Sequence, residues 1–197
     1  RTGIPGYSPW DSAAPGEHFD EPAAQYAIDF FHQALRHVEG TFAGHPFILR
    51  PDQAAIIANL FGWKRADGTR RYREGMIGQP RGSGKSPILA GLGNFGLFAD
   101  DERGAQIYAV AADKDQAAIV YKHARGQVEQ EPVLSEAAKV YRANRMIVRR
   151  DDSAAIFAVL SSDAPGKHGL NPHMILCDEL HAWQGSDLME ALQTAFA

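Results

Sequence analysis

The sequence predicts an α/β fold, with a mainly parallel sheet flanked by helices and an N-terminal helical and extended appendage. The first observation is that apolar, β-rich stretches alternate with helix-forming stretches, as residues 106–111 and 114–129 do in mid-chain. The second is that residues 174–177 are four apolar residues followed by two acids, which is typical of a buried parallel strand. Because parallel strands need a crossover between them, this alternation favours one sheet with helices packed on it.

The start of the chain differs in composition from the rest. Residues 1–22 contain four prolines and three glycines, so we predict an extended arm without regular structure. Residues 23–197 are predicted to form one domain, incomplete at its C-terminal end. Its first helix is predicted over Ala23–Val38, where Tyr26 and Phe30 recur at helical spacing and are expected to face the core.

The later elements follow from the same periodicity and turn signals. They are a helix over residues 52–62, a basic hairpin-like stretch over 64–73, a helix ending near 99, a turn over 100–104, a helix over 134–141, strands over 146–148 and 155–160, and a last helix capped by Ser186.

Composition bounds the function classes. The chain has 197 residues, of which 45% are hydrophobic, which is enough for one substantial core. The net charge of −4 argues against a protein that coats nucleic acid, although a local basic loop is compatible with it. Cys177 is the one cysteine, so no disulfide framework is possible. This composition is typical of proteins from a reducing cytoplasm. We find no apolar run near the roughly 18 residues that a membrane span needs.

The stretch G-Q-P-R-G-S-G-K-S at residues 78–86 has the pattern of a phosphate-binding loop. Gly82 and Gly84 let the backbone curl so that its N–H groups converge, and the following helix adds its positive N-terminal end. Lys85 is expected to reach the β- and γ-phosphates, and the Ser86 hydroxyl to bind Mg²⁺. The loop thus predicts nucleotide binding.

Two further features concern the start of this loop and the segment before it. Met76 and Ile77 are expected to end the strand that leads into it. Gln79 stands where the common pattern has glycine, so the loop is a variant. A glycine-rich start of an ordinary helix is therefore the alternative interpretation.

The acids after residues 174–177 complete the predicted site. Because ligands bind at the carboxyl edge of a parallel sheet, Asp178 is expected to hold Mg²⁺ through water and Glu179 to polarise the attacking water. The alternative is an acidic helix start. Gln53, in the first turn of the second helix, could read the adenine base with its donor and acceptor, or it could be a solvated polar residue.

Several stretches, in this order, resemble the large terminase subunit of tailed bacteriophages, the ATPase motor that packages DNA. They are residues 42–49, Gln53, residues 60–63, Arg70–Arg73, Pro80–Ser86, Ala111–Ala112, Gln116–Ala117, Gly169–Pro172 and Asp178–Ala182. The resemblance implies a P-loop NTPase fold of the ASCE type, in which the ATPase carries its own catalytic glutamate.

The resemblance also assigns roles. Asp178 serves Mg²⁺ and Glu179 is the catalytic carboxylate. Arg81 stands in the loop where it could stabilise the γ-phosphate in cis or sense its loss, and a surface salt bridge is the alternative. The residues that bind ATP are Gln53, Pro80, Arg81, Gly82, Ser83, Gly84, Lys85 and Ser86. A second arginine is expected from a neighbouring subunit, with Arg142, Arg145, Arg149 and Arg150 as candidates.

The partners that the resemblance implies are double-stranded DNA, the phage portal and procapsid, the small terminase subunit and further copies of the chain in a ring. It places the protein in the host cytoplasm, transiently docked on the procapsid, without a membrane. Nuclease activity is expected only from a C-terminal domain beyond this chain.

The sequence allows three alternative interpretations, of which the first two stay open. Asp178–His181 is also a DExH box, in which His181 would couple ATP to nucleic acid in a helicase. A nucleotide-gated binding module would bind ATP without turnover and would not need Glu179. A zinc site from His168, His173, Cys177 and His181 is disfavoured, because the buried strand turns Cys177 away from the loops and no C-x-x-C pattern exists.

Overall fold

The computed structural model describes residues 8–80, 82–111, 114–160 and 171–180. The chain divides into two compact units, one formed by Arg1–Arg36 with His45–Pro80 and the other by His37–Gly44 with Arg81–Ala197. The division at residue 22, into an arm and an ATPase domain, stays a prediction.

Two packed helices form the first unit, α1 (Glu21–Ala34) and α2 (Pro51–Gly62). Helix α1 begins where the Asp20 side chain accepts a hydrogen bond from the Ala23 amide at 3.0 Å, which satisfies an otherwise unpaired N–H. Helix α1 therefore begins two residues before the predicted span of 23–38 and ends four residues before the end of that span.

The predicted core face of α1 was wrong in one respect. Tyr26 is 55% exposed, and the buried face holds Ala24, Ala27 and Phe31. The physical reason is close approach, since a Cβ on Gly62 of α2 would lie only 2.9 Å from the Ala24 Cβ. Small side chains let the two helices meet, which the bulky Tyr26 face does not allow.

The prediction of an N-terminal arm without regular structure was also wrong. Strand β1 (His18–Phe19) pairs antiparallel with β2 (Trp63–Lys64), and the Trp10 ring packs 5.2 Å from the Trp63 ring, centre to centre. Strand pairing and aromatic contact thus anchor a proline-rich segment that has little local propensity of its own. The hairpin-like stretch after β2 is confirmed by a bridge between Lys64 and Arg70.

A five-stranded sheet in the order β4-β5-β6-β3-β7 forms the second unit. Strand β3 pairs in parallel with its neighbours β6 and β7, whereas β4, β5 and β6 pair antiparallel. The bounds are Gln106–Val110 for β3, Ala138–Tyr141 for β4, Met146–Arg149 for β5, Ile156–Leu160 for β6 and Met174–Cys177 for β7.

The helix predicted over 134–141 was correct for residues 134–137 and wrong for residues 138–141. Helix α5 covers Pro132–Ala137, and the following four residues form β4. Residues 138–141 pair with β5, so ladder hydrogen bonds outweigh their helical pattern.

Helices α3 (Lys85–Phe98) and α4 (Lys114–Gln130) pack on this sheet and on each other. Glycines bring α3 close to the strands, since a Cβ on Gly93 would lie 2.8 Å from Leu176 Cδ1 and one on Gly96 would lie 3.0 Å from Ile107 Cδ1. The inner face of α4 holds four buried residues, namely Ala117, Val120, Tyr121 and Ala124. Within the described ranges, no helix has the length and apolarity to cross a membrane.

Candidate nucleotide-binding site

The segment before the loop is not the predicted strand. Residues 74–80 form no strand, and Met76 is 88% exposed. Gly75 and Gly78 flank the two apolar residues, and glycine weakens a strand because it has no side chain to pack.

The loop itself has the expected backbone. Gly82 and Gly84 have φ angles of 78° and 84°, in the left-handed region that favours glycine. Gly84 is the N-cap of α3, so Lys85 and Ser86 lie in the first helical turn, both half-buried. Converging N–H groups and a helix N-terminus are the elements of an anion site.

The loop and the acidic strand meet, although they are 92 residues apart in sequence: Ser86 Oγ donates a hydrogen bond to Asp178 Oδ2 at 2.9 Å. Strand β7 positions the acid, because the Asp178 amide continues the ladder to Val110 O at 3.0 Å. The carboxylate is buried, at 5% exposure. A hydroxyl and a carboxylate form the hard oxygen set that Mg²⁺ prefers.

Glu179 turns sharply at the end of β7. Its φ angle is 50°, and its amide donates to Asp178 Oδ1 at 3.0 Å. A left-handed non-glycine residue next to a candidate metal ligand is typical of a strained functional position.

A family model described as "Terminase large subunit, ATPase domain" matches residues 51–197. The chain belongs to this family. The chain is similar in sequence and in structure to the large terminase of phage HK97. The HK97 terminase large subunit is 26% identical over 160 residues, covering 80% of this chain and 31% of the relative. The HK97 large terminase crystal structure superposes with a TM-score of 0.71 at 23% identity, over 87% of this chain and 34% of that one.

A third match is the large terminase ATPase domain of Thermus phage P74-26, with a TM-score of 0.47 and 25% identity. It covers 59% of this chain and 51% of that chain. The family model confirms the predicted family, and the HK97 superposition with a TM-score of 0.71 confirms the fold class predicted from the sequence. This terminase domain spans about a third of the length of its HK97 relatives.

Gln53 lies in the first unit and is buried, at 5% exposure, so the solvated alternative was wrong. Its Oε1 accepts a hydrogen bond from the Arg50 amide at 3.0 Å and thereby caps α2. Its contact with the adenine base stays a prediction. Ser83 is half-buried and Pro80 exposed, whereas Arg81 lies outside the described residues.

Burial disfavours the zinc alternative, because it raises the pKa of the Cys177 thiol to about 11. His173 Nε2 instead lies 2.6 Å from Asp100 Oδ2. His168 and His181 fall outside the described residues, and among the rest no three candidate ligands cluster.

The candidate arginines for a neighbouring site differ in their surroundings. Three of them form ion pairs, namely Arg142 with Glu129, Arg145 with Asp115 and Arg149 with Asp151. Arg150 is exposed at the end of β5. Arg142 is exposed as well, but of these two only Arg142 has an ion-pair partner among the described residues, so Arg150 is the first candidate.

Our sequence reasoning missed the buried polar residues Asn94, His123 and Gln127. The one available signal was a lone amide in the apolar run of α3. Helical periodicity alone does not separate a buried amide from a surface one.

Proposed function

We propose that this chain is the ATP-hydrolysing motor domain of a phage terminase, whose Mg²⁺-dependent turnover drives double-stranded DNA into a procapsid. The observation that carries the proposal is the 2.9 Å hydrogen bond between Ser86 and Asp178, which unites the phosphate loop with the acidic strand. The HK97 relatives are large terminases, which supports the same role for the longer protein.

ATP binds with its phosphates against the N–H groups of Gly82–Ser86, and Lys85 pairs with the β- and γ-oxygens. Ser86 and Asp178 provide the oxygens for Mg²⁺, which when bound neutralises charge on the phosphates. Gln53 reads the adenine edge.

Glu179 orients and polarises the attacking water, because its carboxylate follows the metal-binding acid directly at the sheet edge. Arg81 stabilises the γ-phosphate in cis. An arginine from a neighbouring subunit, with Arg150 as first candidate, completes the charge stabilisation.

The longer protein acts in the host cytoplasm as a ring that docks on the portal of the procapsid. The small terminase subunit assists it, and a C-terminal domain supplies nuclease activity. DNA movement follows from hydrolysis in successive subunits.

The test compares two variants of the full-length terminase in the presence of portal and DNA. Glu179→Gln keeps size and hydrogen bonding but removes the charge that polarises water, so turnover falls by about 10²–10⁴. ATP binding is retained, since Lys85, Ser86 and Asp178 are untouched. Lys85→Ala instead abolishes binding of a fluorescent ATP analogue.

Matched controls are Glu136→Gln on α5 and Lys139→Ala on β4, both exposed and in the same unit. Both controls keep normal binding and turnover. Full turnover in Glu179→Gln would refute the catalytic assignment of Glu179, whereas an unmodified protein that binds ATP without hydrolysing it would favour a binding module. Unchanged nucleotide affinity in Lys85→Ala would remove the phosphate-loop assignment.

A further inference from the structure

A buried polar network joins α3 to α4. Asn94 and Gln127 are both 0% exposed. Asn94 Nδ2 donates to Ala124 O at 3.1 Å and to Gln127 Oε1 at 2.9 Å. Gln127 Nε2 donates in turn to Pro87 O at 3.1 Å. Two amide side chains therefore tie a carbonyl in the first turn of α3 to the C-terminal half of α4.

This network is not the most stabilising way to fill the space. Asn94 Oδ1 is buried and has no hydrogen-bond partner within the described part of the chain. An unpaired buried acceptor is destabilising, and two apolar side chains of similar size would avoid it. Directional bonds give a defined geometry in return, which apolar contacts do not.

Helix α3 has particular need of such bonds. Its sequence is almost wholly apolar, and Gly93 and Gly96 present flat backbone to the sheet. Apolar contacts are non-directional, whereas a hydrogen bond to a helix carbonyl fixes a position along the helix axis. At the far end of the helix, Leu97 O accepts from Arg149 Nη1 at 3.3 Å, and Asp100 is paired with His173. Gln127 holds the near end.

We propose that Gln127, oriented by Asn94, is a positioning residue for the nucleotide site. By holding Pro87 it sets the place of Lys85 and Ser86, the two residues directly before it. The 2.9 Å hydrogen bond from Ser86 to Asp178 depends on that place to within a few tenths of an ångström. The inference rests on the proposed function, since it needs the loop to bind ATP.

The first variant is Gln127→Met in the full-length terminase, which keeps the side-chain length but removes both polar groups. Affinity for a fluorescent ATP analogue with Mg²⁺ is expected to fall by about 3- to 10-fold, the worth of one neutral hydrogen bond. The matched control is Gln130→Met, which lies on the same helix at an exposed position and leaves affinity unchanged.

The second variant, Gln127→Glu, separates positioning from a general loss of packing. A protonated glutamic acid can accept from Asn94 and donate to Pro87 O, as glutamine does, whereas its carboxylate cannot donate. The affinity of Gln127→Glu relative to the unmodified protein should therefore recover as the pH falls. Gln127→Met should show no such recovery. His123, Glu39, Lys122 and Asp178 are present in every variant compared, so each affinity is expressed relative to that of the unmodified protein at the same pH.

The outcomes are distinct. Gln127→Met with unmodified affinity overturns the inference. A Gln127→Glu protein that is equally weak at every pH overturns it as well, because the residue then acts only through packing. An unmodified protein that binds no nucleotide refutes the proposed function instead.

Discussion

Asp178 uses its two carboxylate oxygens for different partners. Oδ2 accepts the Ser86 hydroxyl, and Oδ1 accepts the Glu179 amide. The second bond holds Glu179 in a left-handed conformation that costs a non-glycine residue about 1–2 kcal/mol. One side chain therefore fixes both the candidate metal site and the backbone of the candidate catalytic residue.

His123 on α4 is a titratable group whose pKa depends on burial. Burial lowers its pKa, and Lys122 adds to this, whereas Glu39 and Asp178 partly oppose it. Since the folded pKa lies below the ordinary value of about 6.5, the unfolded chain binds the proton more readily. His123 thus contributes stability that is present above about pH 6.5 and lost as the pH falls towards the folded pKa.

We expect His123→Gln to flatten the acid side of the stability profile. Between pH 7.5 and 5.5, values spanning the ordinary pKa, the unmodified chain should lose more stability than the variant, by up to about 1.4 kcal/mol per pH unit. Thermal unfolding midpoints across this range provide the measurement. His45→Gln, at an exposed position, is the control and should follow the unmodified chain. Parallel profiles for His123→Gln and the unmodified chain would contradict the prediction.

At the scale of elements, Arg71 fastens the N-terminal segment to the first unit. Its Nε lies 3.0 Å from Glu17, and its terminal nitrogens donate to Pro9 O at 3.0 Å and Ser12 O at 2.6 Å. The guanidinium also lies 5.0 Å from the centre of the Trp63 ring. A planar group with five donors suits this combination of stacking and bonding.

Arg71→Ala should therefore release residues 8–17 from the unit. Each charge-assisted hydrogen bond contributes about 1.5–3 kcal/mol, so limited proteolysis within this segment should become at least about tenfold faster. Arg73→Ala, an exposed arginine in the same stretch, should leave the cleavage rate unchanged. Equal cleavage rates for both variants would show that β1 pairing alone holds the segment.

Close packing of α3 on the sheet depends on Gly93. A Cβ there would meet the Phe157 ring and lie 2.8 Å from Leu176 Cδ1, in a core with no room to yield. Gly93→Ala should therefore destabilise the protein by about 1–3 kcal/mol, despite the better helix propensity of alanine. Denaturant unfolding measures this. Gly78→Ala, where a Cβ would meet nothing within 4 Å, should have little effect.

At the scale of the whole molecule, charge limits DNA binding. The chain carries 20 basic and 24 acidic residues. Within the basic stretch 64–73, Arg71 already binds the N-terminal segment. The Arg70 guanidinium lies 5.4 Å from the centre of the Phe61 ring. Arg65 and Arg73 are exposed, so they are the arginines of this stretch that can face phosphates.

This chain alone should bind duplex DNA weakly, with an affinity that falls steeply as salt rises. Replacing both Arg65 and Arg73 by alanine should reduce the slope of log affinity against log salt by about two, because each phosphate contact contributes about 0.9. Fluorescence anisotropy over a salt series gives the slope. Tight binding that is insensitive to salt would place the DNA site elsewhere.

Local patterns were enough to predict much of this protein. Gly82 and Gly84 marked the loop, because left-handed backbone favours glycine. Residues 174–177 marked the acidic strand, because four apolar residues in a row are typical of a parallel strand, although in β7 only Leu176 is buried. These signals act within a few residues, so they can be interpreted without knowing the rest of the fold.

Only the tertiary structure decided which surfaces meet. The choice of Ala24 over Tyr26 for the buried face of α1 depends on how closely α2 approaches. Residues 138–141 became a strand because β5 offered a ladder, and the amides of Asn94 and Gln127 found each other across two helices. The bond from Ser86 to Asp178 likewise spans 92 residues of sequence. Such contacts depend on chain topology, because a side chain's hydrogen-bond partner is set by spatial proximity rather than by its neighbours in sequence.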